Sequence, residues 1–435
     1  MENKQPAVGN IIKKQNHKIK HGNFVIVALK GFKNVDKTQR AINEVVISVP
    51  EFKYDSEYNW IAVPNLPTTD LGTNQVPIII RGKITNQNWY KLKNNRLVIK
   101  VYRDTPIQPA RKCNCLIRGK SIPTIREIRK QLGVDKIWKD KVRGKGIVVG
   151  IVDSGIQAKG RSHKGIFNNV IDGFPSSDWG TKSDWKNHGN MAAYDVLGIA
   201  PDVKLYDMRI SDLYDYDRIS DVAQAYEWAI DQFKKDGTPH ILNNSWVIYQ
   251  DWIDLNYARD KNHVFTKIVE RVIELGIRVL FSAGNCGCSC KKNCGSCHGE
   301  GRSIWGANGH PDVMTVGAVS IQNKYPEYIE YSSKGPAALH HNKPDFCSIS
   351  HFKGYNKCDT GTSASSPVAA GVVALLLQNN KNLLQSEVKH CLSKTAYTLG
   401  GKWNHRTGFG LINAKDAFDY SIQYTVTKNE ELLPL

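Results

Sequence analysis

Short apolar runs closed by Gly, Pro or Asp fill the first quarter of the chain, and apolar runs alternating with amphipathic stretches fill the rest. NFVIVALKG, EVVISVP, VPIIIRG and RLVIKVYRD are rich in β-branched residues, which predicts strands ending at those turn residues. TQRAINEVV interrupts them with helical spacing and predicts one helix. Residues 22–109 therefore read as a small α+β domain of about 90 residues, an ordinary size for a compact unit. In the following PIQPARKCNC, prolines remove backbone donors and favour extended chain, so 110–121 reads as a linker.

Beyond Ser121 the period changes. TIREIRKQLGVDKIWKD has helical spacing, GKGIVVGIVDSG is a continuous apolar strand ending in a turn, and VKLYDMRI, HILNNSW, IRVLFSAGN and DVMTVGAVS are further strands. ISDVAQAYEWAIDQFKKDG, VFTKIVERVIELG and SPVAAGVVALLLQ are predicted helices. Strands apolar on both faces and joined by helices make a mostly parallel sheet covered on each side, so the fold class expected for 122–425 is α/β. A basic arm, 1–21, precedes the small domain, and 426–435 is a C-terminal tail. Ligands of such sheets bind at the carboxyl ends of strands, which directs attention to polar residues just after strand runs.

The 435 residues suffice for two or three domains, and no run of about eighteen apolar residues marks a membrane span. The N-terminus is basic and polar without an apolar signal core, so the expectation is a soluble, cytoplasmic protein with no membrane partner. Of the net charge of +18, residues 1–120 carry +13, from 21 Lys and Arg against 8 Asp and Glu. No nucleic-acid-binding motif accompanies these dispersed charges. The favoured reading is a solvated basic surface, or one complementary to the rest of the same protein, over a nucleic-acid partner.

Three residues at strand ends or helix starts combine into a chemistry. Asp153 follows IVVGIV, His188 lies in NHGNMAAYDVLGIAP, and Ser363 lies in DTGTSASSPVAAGVVALLL, where a helix rich in small residues begins. A nucleophilic serine needs a base for its proton and a carboxylate to hold that base in the right tautomer. Each motif alone is weak: His-Gly-Asn also occurs at His21, and Gly-x-Ser before a helix is commonly an N-cap. Jointly, GKGIVVGIVDSGI, HGNMAAYDVLGIAP, LNNSW, VLFSAGN, YSSKGP, GTSASSPVAAGVVALL and GFGLINAKDAF are specific, and residues 122–417 resemble the subtilisin-like serine proteases, which share the Asp, His, Ser order.

The resemblance implies a serine endopeptidase acting on a protein or peptide. Ser363 is then the nucleophile, His188 the proton shuttle, Asp153 the orienting carboxylate and Asn285 an oxyanion donor beside the backbone N–H of Ser363. By the same analogy Ser245, Trp246 and Val247, with Ser282, Ala283 and Gly284, flank the peptide substrate. No cofactor is required. The chain departs from the family at Asn190 (usually Thr), Val247 (usually Gly), Ala364 (often Met) and Val368 (usually His). Valine at 247 crowds a pocket that glycine leaves open, so restricted specificity is expected. Two other classes were weighed. Asp153-Ser-Gly and Asp359-Thr-Gly are the triplets of aspartic proteases, but those need an all-β protein, and Asp359 reads better as a turn or cap residue. An inactive, peptide-binding scaffold is the non-enzymatic alternative.

Members of the family often carry an N-terminal α+β propeptide that blocks the active site, and the small domain has the size and place of such an inhibitor; a permanent accessory domain is the other reading. SAGNCGCSCKKNCGSCHGEG, directly after Asn285, gathers Cys286, Cys288, Cys290, Cys294, Cys297 and His298. These supply more than the four soft ligands of a structural zinc, though cramped; disulfides or free thiols are the alternatives. Cys294-Gly-Ser-Cys297-His298 also has the form of c-type haem attachment, the least favoured reading. Calcium is common in the family, but no loop of closely spaced carboxylates nominates a site here.

Overall fold

The computed structural model describes residues 23–109, 122–159, 168–211, 217–288, 294, 297–322 and 325–431. The expected arm 1–21 and linker 110–121 lie outside the described residues. Contacts divide the chain into two units, Met1–Thr105 with Asn262–Lys267, and Pro106–Lys261 with Ile268–Leu435. Residues 106–109, expected in the small domain, thus group with the larger unit.

The first unit runs β1 (Asn23–Phe32), α1 (Val35–Ser48), β2 (Lys53–Tyr54), β3 (Ile61–Ala62), β4 (Gln75–Ile84), α2 (Trp89–Lys93) and β5 (Val98–Arg103). Its antiparallel sheet has the order β2-β4-β1-β5, with β3 also on β4. Asn34 caps α1 by accepting from Lys37 N at 2.9 Å. Thr38, Ala41, Ile42 and Val45 form the buried stripe of that helix, and Ala41, Ile42 and Val45 pack on Val25, Val27, Leu29, Ile78 and Ile80. EVVISVP, expected as a strand, is therefore largely the last part of α1. A strand would turn Ile42 and Val45 to opposite faces, whereas a helix keeps both on the core.

The larger unit begins with β6 (Gln108–Pro109), α3 (Ile125–Gln131), α4 (Val134–Lys139), β7 (Val148–Asp153), β8 (Val170–Phe174), α5 (Asp184–Ile199), β9 (Lys204–Arg209) and α6 (Ile219–Asp236). It continues with β10 (Ile241–Asn244), β11 (Trp246–Val247), α7 (Leu255–Arg259), α8 (Val264–Glu274, its first turn grouping with the first unit), β12 (Arg278–Ser282) and β13 (Met314–Gln322). β14 (Tyr325–Tyr328), β15 (Phe346–Ile349), α9 (Thr362–Asn379), α10 (Gln385–Lys394) and α11 (Ala414–Glu431) complete it. The last helix runs through the residues expected to begin the tail. Among the described residues no helix is long and apolar enough to cross a membrane.

The main sheet has the order β14-β13-β12-β10-β7-β9-β8, with β15 on β13, and every pairing is parallel except that of β14. From β7 the chain fills one side of the sheet with β8 and β9, then returns to the other with β10, β12 and β13. The order thus reverses at β7 and β10, and the crevice beyond their carboxyl ends is where such sheets bind ligands. Val149 and Ile151 of β7 and Leu205 of β9 share one core with Val196 and Ile199 of α5 and with Val368, Val372 and Leu375 of α9. Residues 362–377 of α9 are all buried, as befits a helix apolar all round.

Two glycines let the layers meet. A Cβ at Gly189 stands 2.2 Å from Gly155 O, so only glycine lets the start of α5 touch the turn after β7. A Cβ at Gly371 stands 2.6 Å from Ile199 Cβ, which pins the separation of α9 and α5. Gly371→Ala should therefore destabilise the protein although alanine is the better helix former by about 1 kcal/mol. Overpacking a rigid contact costs about 1–3 kcal/mol, so the net effect is a lower denaturant midpoint at unchanged m-value.

Candidate active site

Asp153 ends β7, fully buried, and its Oδ1 accepts from the following Ser154 N at 2.7 Å. His188 comes to it from α5 after an unusual entry: Trp185, Lys186 and Asn187 have φ of 49°, 63° and 62°. Three consecutive non-glycine residues in the left-handed region cost on the order of 1–2 kcal/mol each. Trp185 Nε1 donates to Asp217 Oδ2 at 2.7 Å and helps to hold them. The regular helix then starts at His188, anchored by Gly189 N donating to Ser154 Oγ at 2.8 Å. As a result His188 Nδ1 lies 2.8 Å from Asp153 Oδ1 and 3.0 Å from Oδ2, and Nε2 is buried with no hydrogen-bond partner among the described residues.

Ser363 occupies the first turn of α9. Its Oγ donates to Ser245 O, and Ser245 Oγ donates to Ser363 O, both at 3.2 Å. Asn285, at the end of the segment after β12, accepts at Oδ1 from Thr362 N at 2.9 Å and from Thr362 Oγ1 at 3.0 Å. Fixing Oδ1 in this way turns the Nδ2 donors away from Thr362. Gly284 N donates in turn to Thr362 Oγ1 at 3.0 Å, with φ of +103° that favours glycine. Sequence reasoning missed Thr362, whose hydroxyl clamps both sides of the oxyanion segment; its position directly before the serine of Gly-Thr-Ser was the available signal.

The expected substrate strands are present, and their side chains divide between core and site. Trp246 is fully buried, its ring against Phe281 at 5.4 Å and its Nε1 on Asn244 Oδ1. Only its backbone serves the edge. There β11 pairs antiparallel with β6, Trp246 opposite Pro109 and Val247 opposite Gln108. A second segment flanks the same stretch, with Ile107 N donating to Asp217 O at 3.1 Å and Pro106 bridged to Arg218. Ser282 and Ala283 are buried beneath, where Ala283 N donates to Val316 O.

Comparison with known proteins identifies the family. Residues 144–410 match the family model described as the subtilase family. The chain belongs to the subtilase family. Subtilisin DY of Bacillus licheniformis is 30% identical over 297 residues, covering 65% of this chain and 94% of that protein. Serine protease AprX of Bacillus subtilis (strain 168) is 24% identical over 311 residues, 63% of this chain and 66% of AprX. The human proprotein convertase subtilisin/kexin type 5 is 25% identical over 339 residues, and this subtilase spans 16% of its length. Among solved structures, fervidolysin from Fervidobacterium pennivorans superposes with a TM-score of 0.64 at 18% identity, covering 92% of this chain and 61% of that one.

Where this subtilase departs from the family pattern, the structure gives each residue a place. Asn190 accepts from Gln157 N at 2.8 Å and donates from Nδ2 to Tyr355 OH at 3.3 Å. Val247 packs with Tyr249, Cys286 and Cys294. Ala364 and Val368 are buried in α9. The cysteine loop reads as a disulfide element: Cys286 and Cys294 are bonded, and Cys288 is also in a disulfide. Those sulfurs are not thiolates, so the six-residue zinc set is not assembled. Cys297 is buried, its Sγ 3.2 Å from Asp251 Oδ1, while Cys290 lies outside the described residues. Among the described residues, no group of three or more His, Cys, Asp or Glu is placed to hold a metal ion.

The Cys286–Cys294 bridge thus joins the residue after Asn285 to a core shared with Val247 of β11. Cys286 N is further held by Ser333 Oγ at 3.1 Å. The clamp by Thr362 gives a quantitative expectation. Thr362→Val removes its hydroxyl, and with it the bonds to Asn285 Oδ1 and from Gly284 N, while keeping its N–H to Asn285. Two neutral hydrogen bonds net about 2 kcal/mol, or a factor of about thirty. Steady-state kinetics on a peptide amide should show kcat lowered by about that factor, with KM nearly unchanged.

Proposed function

We propose that this chain is a serine endopeptidase of restricted specificity, with Asp153, His188 and Ser363 as its triad and Asn285 in its oxyanion hole. One observation carries the reading: His188 Nδ1 is committed to the buried Asp153 carboxylate while Nε2 has no partner among the described residues. Hydrogen then sits on Nδ1, and Nε2 is the base. Rotation of Ser363 Oγ from Ser245 O brings it to Nε2. Oγ attacks the peptide carbonyl carbon, its proton passes to Nε2, and the carbonyl π pair moves onto oxygen. Asn285 Nδ2 and Ser363 N–H donate to that oxyanion, assisted by the amides at the start of α9. On collapse the C–N bond breaks and the leaving amine takes the proton from Nε2. Water, deprotonated by the same nitrogen, attacks the acyl ester, and as the C–Oγ bond breaks the Nε2 proton returns to Ser363 Oγ.

An extended substrate is read through its main chain on β11, as Gln108–Pro109 is, and Val247 narrows the neighbouring side-chain space. The same pairing supports a regulatory role for the small N-terminal unit. Residues 106–109 occupy the strand edge that a substrate needs, which suits a tethered inhibitor released by self-cleavage. The register runs from Val247 through Trp246 towards Ser245, whose carbonyl holds Ser363 Oγ, so the cut falls just after Pro109, within 110–121.

A serine-reactive fluorophosphonate should label the wild type and fail on Ser363→Ala; absence of labelling and of peptide cleavage in the wild type overturns the proposal and leaves a scaffold. Asn285→Ala should lower turnover about 10²–10³-fold, a magnitude carried over from a subtilisin that loses its oxyanion asparagine. N-terminal mass analysis should find the new terminus within 110–121 in wild type alone.

A further inference from the structure

Asp359, set aside above as a turn residue, faces a second buried carboxyl that the triad does not use. Asp195 lies on α5, two helical turns after His188, and Asp359 lies four residues before Ser363. Both are 0% exposed. A Cβ built at Gly354 is 2.1 Å from Asp359 Oδ2 and 3.0 Å from Asp195 Oδ1, so the two carboxyl groups converge on one point of the loop backbone. Asp359 already accepts three N–H bonds, from Tyr355 N at 2.6 Å to Oδ2 and from Asn356 N and Nδ2 at 2.9 and 2.7 Å to Oδ1. Among the described residues neither oxygen of Asp195 has a hydrogen-bond donor, and neither carboxyl is ion-paired with Lys, Arg or His.

Two adjacent buried carboxylates without a counter-ion repel, so one must hold a proton. We propose that Asp195, protonated, donates to the Asp359 carboxylate, and that this shared-proton bond ties the helix carrying His188 to the loop carrying Ser363, making the pair positioning residues for the triad. Burial, and then the neighbouring Asp359, holds the pKa of Asp195 well above the usual carboxylate range. Burial raises that of Asp359 as well, against its three N–H donors. The titratable groups facing the pair are Tyr194 on α5 and Tyr355 on the loop. His351, whose N donates to Asp359 O, and Cys358 complete the charged and titratable surroundings, and these two contact each other at 3.5 Å. Asn190, two residues after His188, supplies a second tie between the same elements through Tyr355 OH. Raising the pH removes the shared proton, restores repulsion and loosens the His188–Ser363 geometry.

The test has two arms, and only the kinetic arm rests on the peptidase reading. Infrared difference spectra of uncut full-length Ser363→Ala against Ser363→Ala/Asp195→Asn at pH 8 should show a carboxylic-acid C=O band that the double variant lacks. With Ser363 intact, Asp195→Ala should lower kcat by on the order of 10–10²-fold, the cost of an ångström-scale misplacement, and introduce little change in KM. Asp195→Asn, which still donates but cannot ionise, should recover turnover to within about threefold of wild type and lose the fall in kcat at alkaline pH. Absence of the acid band overturns the shared proton. A band with Asp195→Asn as impaired as Asp195→Ala overturns the positioning role, as does a wild-type requirement for an added metal ion that a chelator abolishes.

Discussion

A helix that is apolar all round can only lie inside, and its first turn then carries backbone N–H groups into the interior with it. In this subtilase that helix is α9, and its beginning is met from three directions. Asn285 Oδ1 takes the N–H of Thr362, Tyr331 OH takes that of Gly361 at 2.9 Å, and Ser245 exchanges bonds with Ser363. The segments after β10 and β12 and the loop before α9 are thereby drawn to one point. Burial of α9 therefore sets the position of Ser363 and of the Asn285 amide beside it.

The remaining partner, His188, depends on close approach. Gly189 meets Gly155 O and Gly371 meets Ile199, so α5 packs against both the turn after β7 and α9. Its first residues adopt a left-handed turn that delivers His188 to the Asp153 carboxylate. Asp195, on the same helix, meets Asp359 of the loop before α9. The contacts that hold α5 on α9 also fix where His188 stands relative to Ser363, so under the proposed function stability and catalysis are coupled.

Strands such as IVVGIVDSG and helices such as SPVAAGVVALLLQ were legible because elements buried on both sides are continuously apolar and differ in length. The stretch EVVISVP misled because β-branching suggested a strand, while the partners of Ile42 and Val45 in the core required one face of a helix. Asp153, His188 and Ser363 stood out as polar residues at strand ends and helix starts, the positions a parallel sheet leaves for chemistry, whereas Asn285 entered only through the family resemblance. Asp195 did not stand out, since an aspartate within a helix carries no local mark of its role, and Thr362 was passed over although it directly precedes the serine.

By itself the sequence determined the elements, the α/β class and the residue types at the ends of the central strands, since these follow from local periodicity and from the requirement to bury apolar faces. Tertiary structure decided what no local pattern encodes: that Cys286 bonds Cys294, that the backbone of Pro109 lies along Trp246, and that Asp195 meets Asp359. The physical reason is that each of these is a contact between segments far apart in the chain or within an irregular loop. Such contacts are fixed by how the layers pack and by which buried polar groups must find partners.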